Sequence, residues 1–453
     1  MSASRPKTSS AVIVGLGKTG LSCARYLRAH GWQIAVTDTR AQPPELAKLQ
    51  ALDPTIPVRV GGLDMSLLDD ALCVVASPGV SLNEPFFIEA RKRGLEVVGD
   101  IELFARAVDA PVVGITGTNG KSTVTTLVGR MAERAGLKVR VGGNLGEPAL
   151  DLLVAAAGDA QKTELYVLEL SSYQLESTQS LDLKAAAVLN VTADHMDRYG
   201  TIEDYATAKA RIFARCDTAV INLDDPLVVA MPRPGQRTLG FSLRASIGAD
   251  YAVVTGADSQ WWLSRRNEPL LPVAAMKIKG LHNAANALAA LALGEALGLP
   301  LEAMLSELTS FPGLPHRSQW VADVNGVTYI NDSKGTNVGA TLAAVAGMSG
   351  PLVMIAGGDG KNQDFAPLSE AFRGKVRHAV LIGRDAAAIA RVLNGICTFE
   401  KAATLEEAVR AAARAAQPGD TVLLSPACAS LDMFRDYTHR GAVFTQAVKE
   451  LAA

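Results

Sequence analysis

The chain has 453 residues, too many for one hydrophobic core, so about three domains of roughly 100–200 residues are expected. Hydrophobic residues make up 48% of it and charged residues 20%, which excludes a disordered protein and predicts a fully folded globular one. The 44 lysines and arginines nearly balance the 46 aspartates and glutamates without forming a basic stretch, so we expect no nucleic-acid partner.

The sequence contains no recognisable targeting segment and no paired cysteine spacing. No run approaches the roughly 18 apolar residues of a membrane span, and the N-terminal "MSASRPKTSS" leads into an apolar strand without a signal-peptide core. The five cysteines are scattered singly, without the spacing of a zinc site. We therefore expect a cytoplasmic protein with reduced thiols and no membrane partner.

The first predicted unit begins with the strand and glycine turn of "AVIVGLGKTG". Gly15, Gly17 and Gly20 form G-x-G-x-x-G between a strand and a helix, and Asp38 ends the next strand. Bare backbone N–H groups at such a helix N-terminus can hold a pyrophosphate. The motif predicts a diphosphate-containing ligand, of which NAD is one example, although a tight turn would also explain the glycines.

A second unit starts with "GITGTNGKST", residues 114–123, again a strand, a loop and a helix. A full Walker A motif would need glycine where Ile115 stands. Gly117 and Gly120 nevertheless let the backbone amides turn inward, Lys121 can reach terminal phosphates and Ser122 can offer a hydroxyl to Mg²⁺. The loop therefore predicts triphosphate binding, against the alternative of a structural glycine turn.

Three polar residues of the second unit stand out against their apolar surroundings. Glu169 interrupts an apolar strand near its C-terminal end, where a Mg²⁺ ion or a buried salt bridge would satisfy it. His195 follows the next strand and is a candidate metal ligand or an ordinary hydrogen-bonded histidine. Lys209 falls on a predicted helical apolar stripe that extends to Cys216, so it either snorkels to the rim or has a function.

The third unit follows a turn-rich linker, "TSFPGLPHR", and again alternates strands with helices. Several polar residues of the linker and of the strand ends could form a ligand face, although each could be a turn or cap residue. They are Asn283, Asn286, Arg317, Asp332, Lys334, Thr336 and Lys361.

The alternation of strands and helices predicts an α/β protein with three domains and mainly parallel sheets. We expect a Rossmann-like N-terminal domain over residues 1–99. A P-loop-type central ATPase domain with a mostly parallel sheet is expected over 100–313, and a Rossmann-like C-terminal domain over 314–453.

Taken in order, the motifs resemble those of the Mur ligase family over essentially the full length. An ordered set is far more specific than any one motif. The set comprises "GLGKTGLS", "ASPGV", "GTNGKST", "GGNLG", "LELSSYQLE", "NVTADHMDRY", "AKARIF", "GLHNAANALAA", "GLPHR", "NDSKGTN", "GGDGK" and "LSPACASLDMF".

The resemblance implies an ATP-dependent amide ligase that acts through an acyl phosphate and a tetrahedral intermediate. The motifs fit best those members that add D-glutamate to UDP-N-acetylmuramoyl-L-alanine (UDP-MurNAc-L-Ala) in bacterial peptidoglycan synthesis; a ligase for another amino acid is the alternative. The expected partners are these two substrates and ATP, and we expect a monomer.

The resemblance also implies cofactors and catalytic groups. Two Mg²⁺ sites are expected, with Mn²⁺ as a possible substitute: Ser122 and Glu169 at the first, His195 and Lys209 at the second. A CO₂-derived carbamate on Lys209 would turn a buried cation into an anion. The implied catalytic residues are Lys121, His195, Lys209 and Lys334.

The binding residues that the resemblance implies fall into three sets. ATP would contact Gly117, Thr118, Asn119, Gly120, Lys121, Ser122, Thr123, Asn283, Asn286, Arg317 and Asp332. The UDP-sugar would contact Gly17, Lys18, Thr19, Asp38, Thr39, Arg40, Ser77, Gly79, Asn144 and Ser171. D-Glutamate would contact Thr336, Lys361, Ser430, Leu431 and Tyr437. Tyr437 departs from the phenylalanine expected there, but a backbone contact would leave specificity unchanged.

Two other classes of function compete with the ligase. A dehydrogenase could use the first unit for NAD, but it would leave the phosphate loop, Glu169, His195 and Lys209 without a role. A nucleotide-driven switch could use the third unit to bind a protein. Folylpolyglutamate synthetases would lack the first unit.

Overall fold

The computed structural model of the protein describes residues 10–159, 161–196, 198–244, 248–257, 259–278, 280–348 and 350–452. Residues 1–9, where no signal-peptide core is predicted, lie outside these ranges. Within them the chain forms three sheets of five, nine and six strands. None of the helices in this part of the chain combines the length and apolar character that crossing a membrane requires.

The first sheet is entirely parallel. Its region contains β1 (Ser10–Val14), α1 (Lys18–Ala29), β2 (Gln33–Asp38), α2 (Leu46–Leu52), β3 (Val58–Val60), β4 (Cys73–Ala76), α3 (Pro85–Lys92), β5 (Glu96–Val98) and α4 (Asp100–Ala105). The strand order is β3-β2-β1-β4-β5, so the order reverses between β1 and β4. A crevice at the carboxyl ends of two such strands is where open α/β sheets bind ligands.

In the second sheet β6 lies between β8 and β9. Its region contains β6 (Val112–Thr116), α5 (Lys121–Arg134), β7 (Val139–Gly143), α6 (Ala149–Ala157), β8 (Leu165–Glu169), α7 (Ser172–Glu176), β9 (Leu183–Val188), α8 (Ile202–Ala210), β10 (Cys216–Asn222), α9 (Pro226–Val229), β11 (Arg237–Ser242), β12 (Tyr251–Thr255), β13 (Trp261–Arg265), β14 (Glu268–Pro272), α10 (Leu281–Leu297) and α11 (Leu301–Ser310). The order is β14-β13-β12-β11-β10-β9-β6-β8-β7, parallel except for the antiparallel pairings of β13 with β12 and β14.

The third sheet is parallel except at one edge. Its region contains β15 (Gln319–Val324), β16 (Val327–Asn331), α12 (Val338–Gly347), β17 (Leu352–Gly357), α13 (Pro367–Phe372), β18 (Val376–Ile382), α14 (Ala386–Leu393), β19 (Thr398–Lys401), α15 (Leu405–Ala415), β20 (Thr421–Leu424) and α16 (Tyr437–Ala452). The order is β15-β16-β20-β17-β18-β19. Asn325 and Gly326, both with positive φ, form the two-residue turn of the antiparallel hairpin β15-β16.

The predicted fold class is confirmed: three α/β units with mostly parallel sheets follow one another along the chain. The boundaries after residues 99 and 313 stay predictions. The predicted helix that carries Lys209 was too long: α8 ends at Ala210, and Cys216, expected on its apolar stripe, begins β10. Lys209 therefore lies in the last turn of its helix, where it faces the strand ends.

The packing of α10 on α5 generates a stability prediction. Leu288 of α10 is fully buried, whereas Leu52 of α2 is 42% exposed. Leu288→Ala should lower the free energy of unfolding by about 3 kcal/mol, because it leaves a cavity in the core. Leu52→Ala should change it by less than about 0.5 kcal/mol. Urea denaturation followed by circular dichroism measures both, and equal effects would contradict the core assignment.

Candidate active site

Three adjoining cavities lie where the carboxyl ends of the strands of the three sheets converge. The first cavity has a volume of about 590 Å³, and its lining includes Gly17, Thr39 and Ser77. The second, of about 430 Å³, is lined by residues that include Lys121, Glu169 and His195. The third, of about 280 Å³, is lined by residues that include Asn190, Phe241 and Asn286. Pro78, Gly79 and Asn144 line both the first and the second, and Asn119, Gly120, Arg317 and Lys334 line both the second and the third. One continuous path thus joins all three.

The first cavity occupies the crevice between β1 and β4. It collects nine of the ten residues predicted to bind a UDP-sugar: Gly17, Lys18, Thr19, Asp38, Thr39, Arg40, Ser77, Gly79 and Asn144. The tenth, Ser171, caps α7 and lines the second cavity. Gly20 is required for close packing, since a Cβ there would come within 2.0 Å of the Gly15 carbonyl oxygen.

The carboxylate of Asp38 is already saturated with hydrogen bonds. Its oxygens accept the Leu16 amide at 2.7 Å and three Arg40 groups, the amide, Nε and Nη2, at 2.8, 2.9 and 2.7 Å. Burial alone would raise the pKa of Asp38, but the bonds from Arg40 and Leu16 lower it overall. An acidic residue at this place binds a ribose hydroxyl in NAD enzymes. Because Asp38 is occupied, the geometry disfavours the dehydrogenase alternative.

The phosphate loop runs from β6 into α5 and depends on two glycines. Gly117 has φ 146° and Gly120 has φ 85°, both in the region that favours glycine. A Cβ on Gly120 would also come within 2.3 Å of Asn286 Oδ1. Ile115, where the general motif has glycine, is a fully buried residue of β6. The loop here therefore starts two residues later than the general motif expects.

Two lysines, the half-buried Lys121 and the buried Lys209, share one backbone acceptor beside this loop. Lys121 Nζ donates to the carbonyl oxygens of Gly117 and Thr118 at 2.9 Å each, and Lys209 Nζ donates to that of Gly117 at 3.0 Å. Lys209 is 1% exposed and lies over the Tyr205 ring at 4.2 Å. Burial lowers the pKa of both lysines, that of Lys209 well below its usual value. The lowered pKa increases the fraction of Lys209 that is a neutral amine.

Glu169 forms a compact oxygen cluster with Ser122. Ser122 Oγ donates to Glu169 Oε2 at 2.5 Å and Asn144 Nδ2 donates to Oε1 at 2.7 Å. Arg317 Nη2 reaches from the linker and donates to Ser122 Oγ at 2.6 Å. Burial would raise the pKa of Glu169, but the positive charge of Lys121 and these hydrogen bonds lower it overall. The carboxylate is held ionised beside the phosphate loop.

A second carboxylate, Asp194, was not among the predicted site residues. Lys361 Nζ pairs with its Oδ1 at 2.7 Å, Asn337 Nδ2 donates to its Oδ2 at 3.2 Å, and His195 Nε2 lies 3.8 Å from that oxygen. Burial would raise its pKa, but the charges of Lys361 and His195 lower it overall. The carboxylate-rich loop around His195 was the available signal; the contact with Lys361 and Asn337 depends on the third sheet.

The third cavity gathers the predicted nucleotide residues around α10. Thr123, Asn283, Asn286, Arg317 and Asp332 line it together with Asn119, Gly120 and Lys334, whereas Thr118 and Ser122 face the second cavity. Burial raises the pKa of Asp332 to about 6. Burial, with the charges of Arg317 and Lys121, lowers the pKa of Lys334 to about 8. Asn190 and Phe241, which sequence analysis missed, complete the wall.

The five residues predicted to bind D-glutamate are only partly together. Thr336 and Lys361 line the second cavity. The Tyr437 ring lies 4.1 Å from Lys334 Nζ. Ser430 is buried and Leu431 is 72% exposed, and neither lines any of the three cavities.

The residues of the second cavity fit a hard divalent cation in part. Ser122 and Glu169 offer a hydroxyl and a carboxylate oxygen 2.5 Å apart, the ligand types that Mg²⁺ prefers. Among the described residues there is no group of three His, Cys, Asp or Glu side chains arranged for a metal. A cation here would therefore take further oxygens from the ligand phosphates.

Comparisons with known proteins agree over nearly the whole chain. Residues 9–99 match the Mur ligase MurD-like N-terminal domain, residues 115–294 the Mur ligase middle domain, and residues 316–428 the Mur ligase glutamate ligase domain. The UDP-N-acetylmuramoylalanine–D-glutamate ligase of Nitrosococcus oceani is 52% identical over 98% of this chain and 97% of its own length. The enzyme of that name from Methylococcus capsulatus is 51% identical over 98% of this chain and 95% of its own.

Solved structures with this fold are more distant in sequence. UDP-N-acetylmuramate-alanine ligase MurC of Thermotoga maritima has a TM-score of 0.61 at 17% identity and covers 97% of this chain and 99% of its own. MurF of Acinetobacter baumannii has a TM-score of 0.61 at 18% identity and covers 99% and 93%. These similarities concern the fold alone.

The contact of Gly120 with Asn286 generates a binding prediction. Gly120→Ala should lower the affinity for a fluorescent ATP analogue about tenfold or more, because the new methyl group displaces Asn286 and the loop amides. Gly136→Ala is the matched control, since Gly136 follows the same helix with φ 92° and nothing within 4 Å of an added Cβ. It should cost about 1 kcal/mol of stability and leave the affinity unchanged. Equal affinities of the two variants would contradict the loop assignment.

Proposed function

The chain belongs to the Mur ligase family, and we propose that it is an ATP-dependent ligase that joins D-glutamate to UDP-MurNAc-L-Ala. The reaction would release ADP and phosphate and serve peptidoglycan precursor synthesis. Full-length relatives named for that activity support the assignment. The structural observation that carries it is the continuous path from the β1-β4 crevice through the phosphate loop to the third sheet.

The UDP-sugar would bind in the first cavity. α1 begins after Gly17 without a side-chain cap, so its N-terminal amides are available for a pyrophosphate. Thr39, Arg40 and Ser77 line the same cavity. Asn144 and Gly79 also line the second cavity, so a substrate that extends past them brings its free carboxylate towards the phosphate loop.

ATP would bind with its base in the third cavity and its phosphates along residues 117–123. Asn283 and Asn286 would offer amides to the base, and Asp332 lines the same cavity. Lys121 lines the second cavity and Lys334 lines both the second and the third, so both ammonium groups can contact the terminal phosphate.

Two Mg²⁺ ions, or Mn²⁺, would be held by Ser122 with Glu169 and by His195 with Lys209, and would neutralise phosphate charge. The lowered pKa of Lys209 supports the second site, because a neutral amine is the form that reacts with CO₂ to give a carbamate. Carbamylation would replace a cation by an anionic oxygen ligand.

The residues then account for the two chemical steps. A carboxylate oxygen of UDP-MurNAc-L-Ala attacks the γ-phosphorus and ADP leaves, while Lys121 and Lys334 hold the transferred phosphoryl oxygens. The neutral D-glutamate amine attacks the acyl carbon and releases a proton to solvent, and the tetrahedral intermediate collapses to the amide as the bond from that carbon to the phosphate oxygen breaks. Thr336 and Lys361 would bind a D-glutamate carboxylate, which replaces Asp194 as the partner of Lys361.

The remaining expectations complete the proposal. Residues 1–99 would bind the UDP-sugar, 100–313 ATP and Mg²⁺, and 314–453 D-glutamate, with Ser430, Leu431 and Tyr437 joining the last site when the amino acid binds. The protein would act as a cytoplasmic monomer on small molecules, without a nucleic-acid or membrane partner.

Amino-acid preference tests this function directly. ADP release should require UDP-MurNAc-L-Ala and should be much faster with D-glutamate, the amino acid named for the relatives, than with L-glutamate, L-lysine or L-alanine. Thr336 and Lys361 would favour an amino acid with a side-chain carboxylate. A coupled assay measures it, with L-glutamate as the matched control of equal charge. Preference for L-lysine or L-alanine would favour a different Mur-type ligase.

Chemical rescue tests Lys209. Lys209→Ala should reduce turnover at least about 100-fold, because an anionic ligand beside the phosphates is lost. Added acetate or formate should restore part of it by occupying the vacated space. Lys184→Ala, at an exposed lysine that pairs with Asp217, should be unaffected with or without the anion. Full activity of Lys209→Ala would remove this lysine from the site.

A further inference from the structure

We propose that the aromatic ring of Tyr437 is a positioning group that holds the Lys334 ammonium where it meets the transferred phosphoryl group. The inference rests on the proposed function for the role of Lys334. It gives Tyr437 a task in phosphoryl transfer, in addition to the backbone contact with the amino acid expected from sequence.

The Lys334 ammonium group lies over the aromatic ring of Tyr437. Lys334 lies in the loop after β16, and Tyr437 is the first residue of α16. Lys334 Nζ is 4.1 Å from the centroid of the Tyr437 ring, within the roughly 6 Å over which a ring face attracts a cation. Lys334 also lines both the second and the third cavity, whereas Tyr437 is among the lining residues of neither.

Hydrogen bonds to main-chain carbonyl groups hold the backbone around Lys334 and Tyr437 in place. Ser333 Oγ donates to the Tyr437 carbonyl oxygen at 2.8 Å, which ties the loop to the start of α16. Arg440 Nη2, one turn along α16, donates to the Ser333 carbonyl oxygen at 2.6 Å, and the Lys334 amide donates to the His316 carbonyl oxygen at 3.0 Å. With the main chain held at these points, the ring determines where the flexible lysine side chain ends.

The charges around Lys334 explain why a ring suits this position. Across the described residues Lys334 forms no ion pair, whereas Lys361 in the same cavity pairs with Asp194 at 2.7 Å. Arg317 and Lys121 repel the Lys334 ammonium and, with burial, lower its pKa. A carboxylate would stabilise the cation but occupy its N–H groups, which the phosphoryl oxygens need. A ring face stabilises the cation and leaves those donors free.

This arrangement needs the ring and not the hydroxyl. Tyr437→Phe should keep kcat within about twofold, and Tyr437→Leu should lower it about 10-fold, the order expected for a partly desolvated cation–π contact. The KM for UDP-MurNAc-L-Ala should stay within about twofold in both. Phe399→Leu, an aromatic-to-leucine change on β19 at the far edge of the same sheet, is the matched control and should keep full activity.

A double-mutant cycle separates positioning from a merely structural role. On a Lys334→Met background, Tyr437→Leu should have no further effect on kcat, because the group it positions is gone. An additive loss, wild-type activity of Tyr437→Leu, or an equal defect in Tyr437→Phe would overturn the inference. A higher KM for D-glutamate at unchanged kcat would also do so, since it would assign the ring to the amino acid.

The cycle can also be followed without the ligase reaction. Affinity for a nonhydrolysable ATP analogue should fall in Tyr437→Leu, hold in Tyr437→Phe and show no further loss when Tyr437→Leu is combined with Lys334→Met. If the wild-type protein releases no D-glutamate-dependent ADP, the proposed function fails. This binding cycle then still decides whether the ring acts through Lys334, and additive losses would refute it.

Discussion

The crowding of buried and half-buried basic side chains around one phosphate loop is the constraint on which the rest of the structure depends. Lys121, Lys209, Arg317 and Lys334 line one cavity, with Glu169 and Asp194 as its carboxylates. Burial penalises the charged form and is the main reason that the pKa values of all four groups are lowered; repulsion between neighbouring cations adds to it at Lys121, Lys209 and Lys334. Such a cavity is complementary to a ligand with several negative charges, and a nucleoside triphosphate beside a carboxylate substrate is such a ligand.

Holding these charges together requires the central sheet, the linker and the third sheet. The central sheet contributes the loop after β6 and Glu169 at the end of β8, and the linker contributes Arg317, which donates to Ser122. The third sheet contributes Lys361 and Asn337, both bonded to Asp194. These contacts join residues distant in sequence, so substrates bound on separate units meet within one connected space. Catalysis by orientation depends on that convergence.

Much of this site could be predicted from local patterns. Glycine turns between strand and helix identified the loops at Gly15 and Gly117, because few residues tolerate their positive φ angles. A carboxylate within an apolar strand identified Glu169, because an unpaired buried charge is costly. Local patterns did not identify the contact partners of these residues. The hydrogen bond of Asn337 to Asp194 depends on where the third sheet packs. The carboxylate of Asp38, which ends a strand as a ribose ligand would, is instead hydrogen-bonded by Arg40.

The sequence by itself determined the α/β class, the three units and most lining residues, since periodicity, glycine turns and strand ends are encoded within a few neighbouring positions. The tertiary structure alone decided three things: that the cavities connect, that Lys361 pairs with Asp194, and that Tyr437 faces Lys334. It also left Ser430 and Leu431 outside the cavity linings. These outcomes depend on how separately encoded units pack against one another, a relation that no local pattern contains.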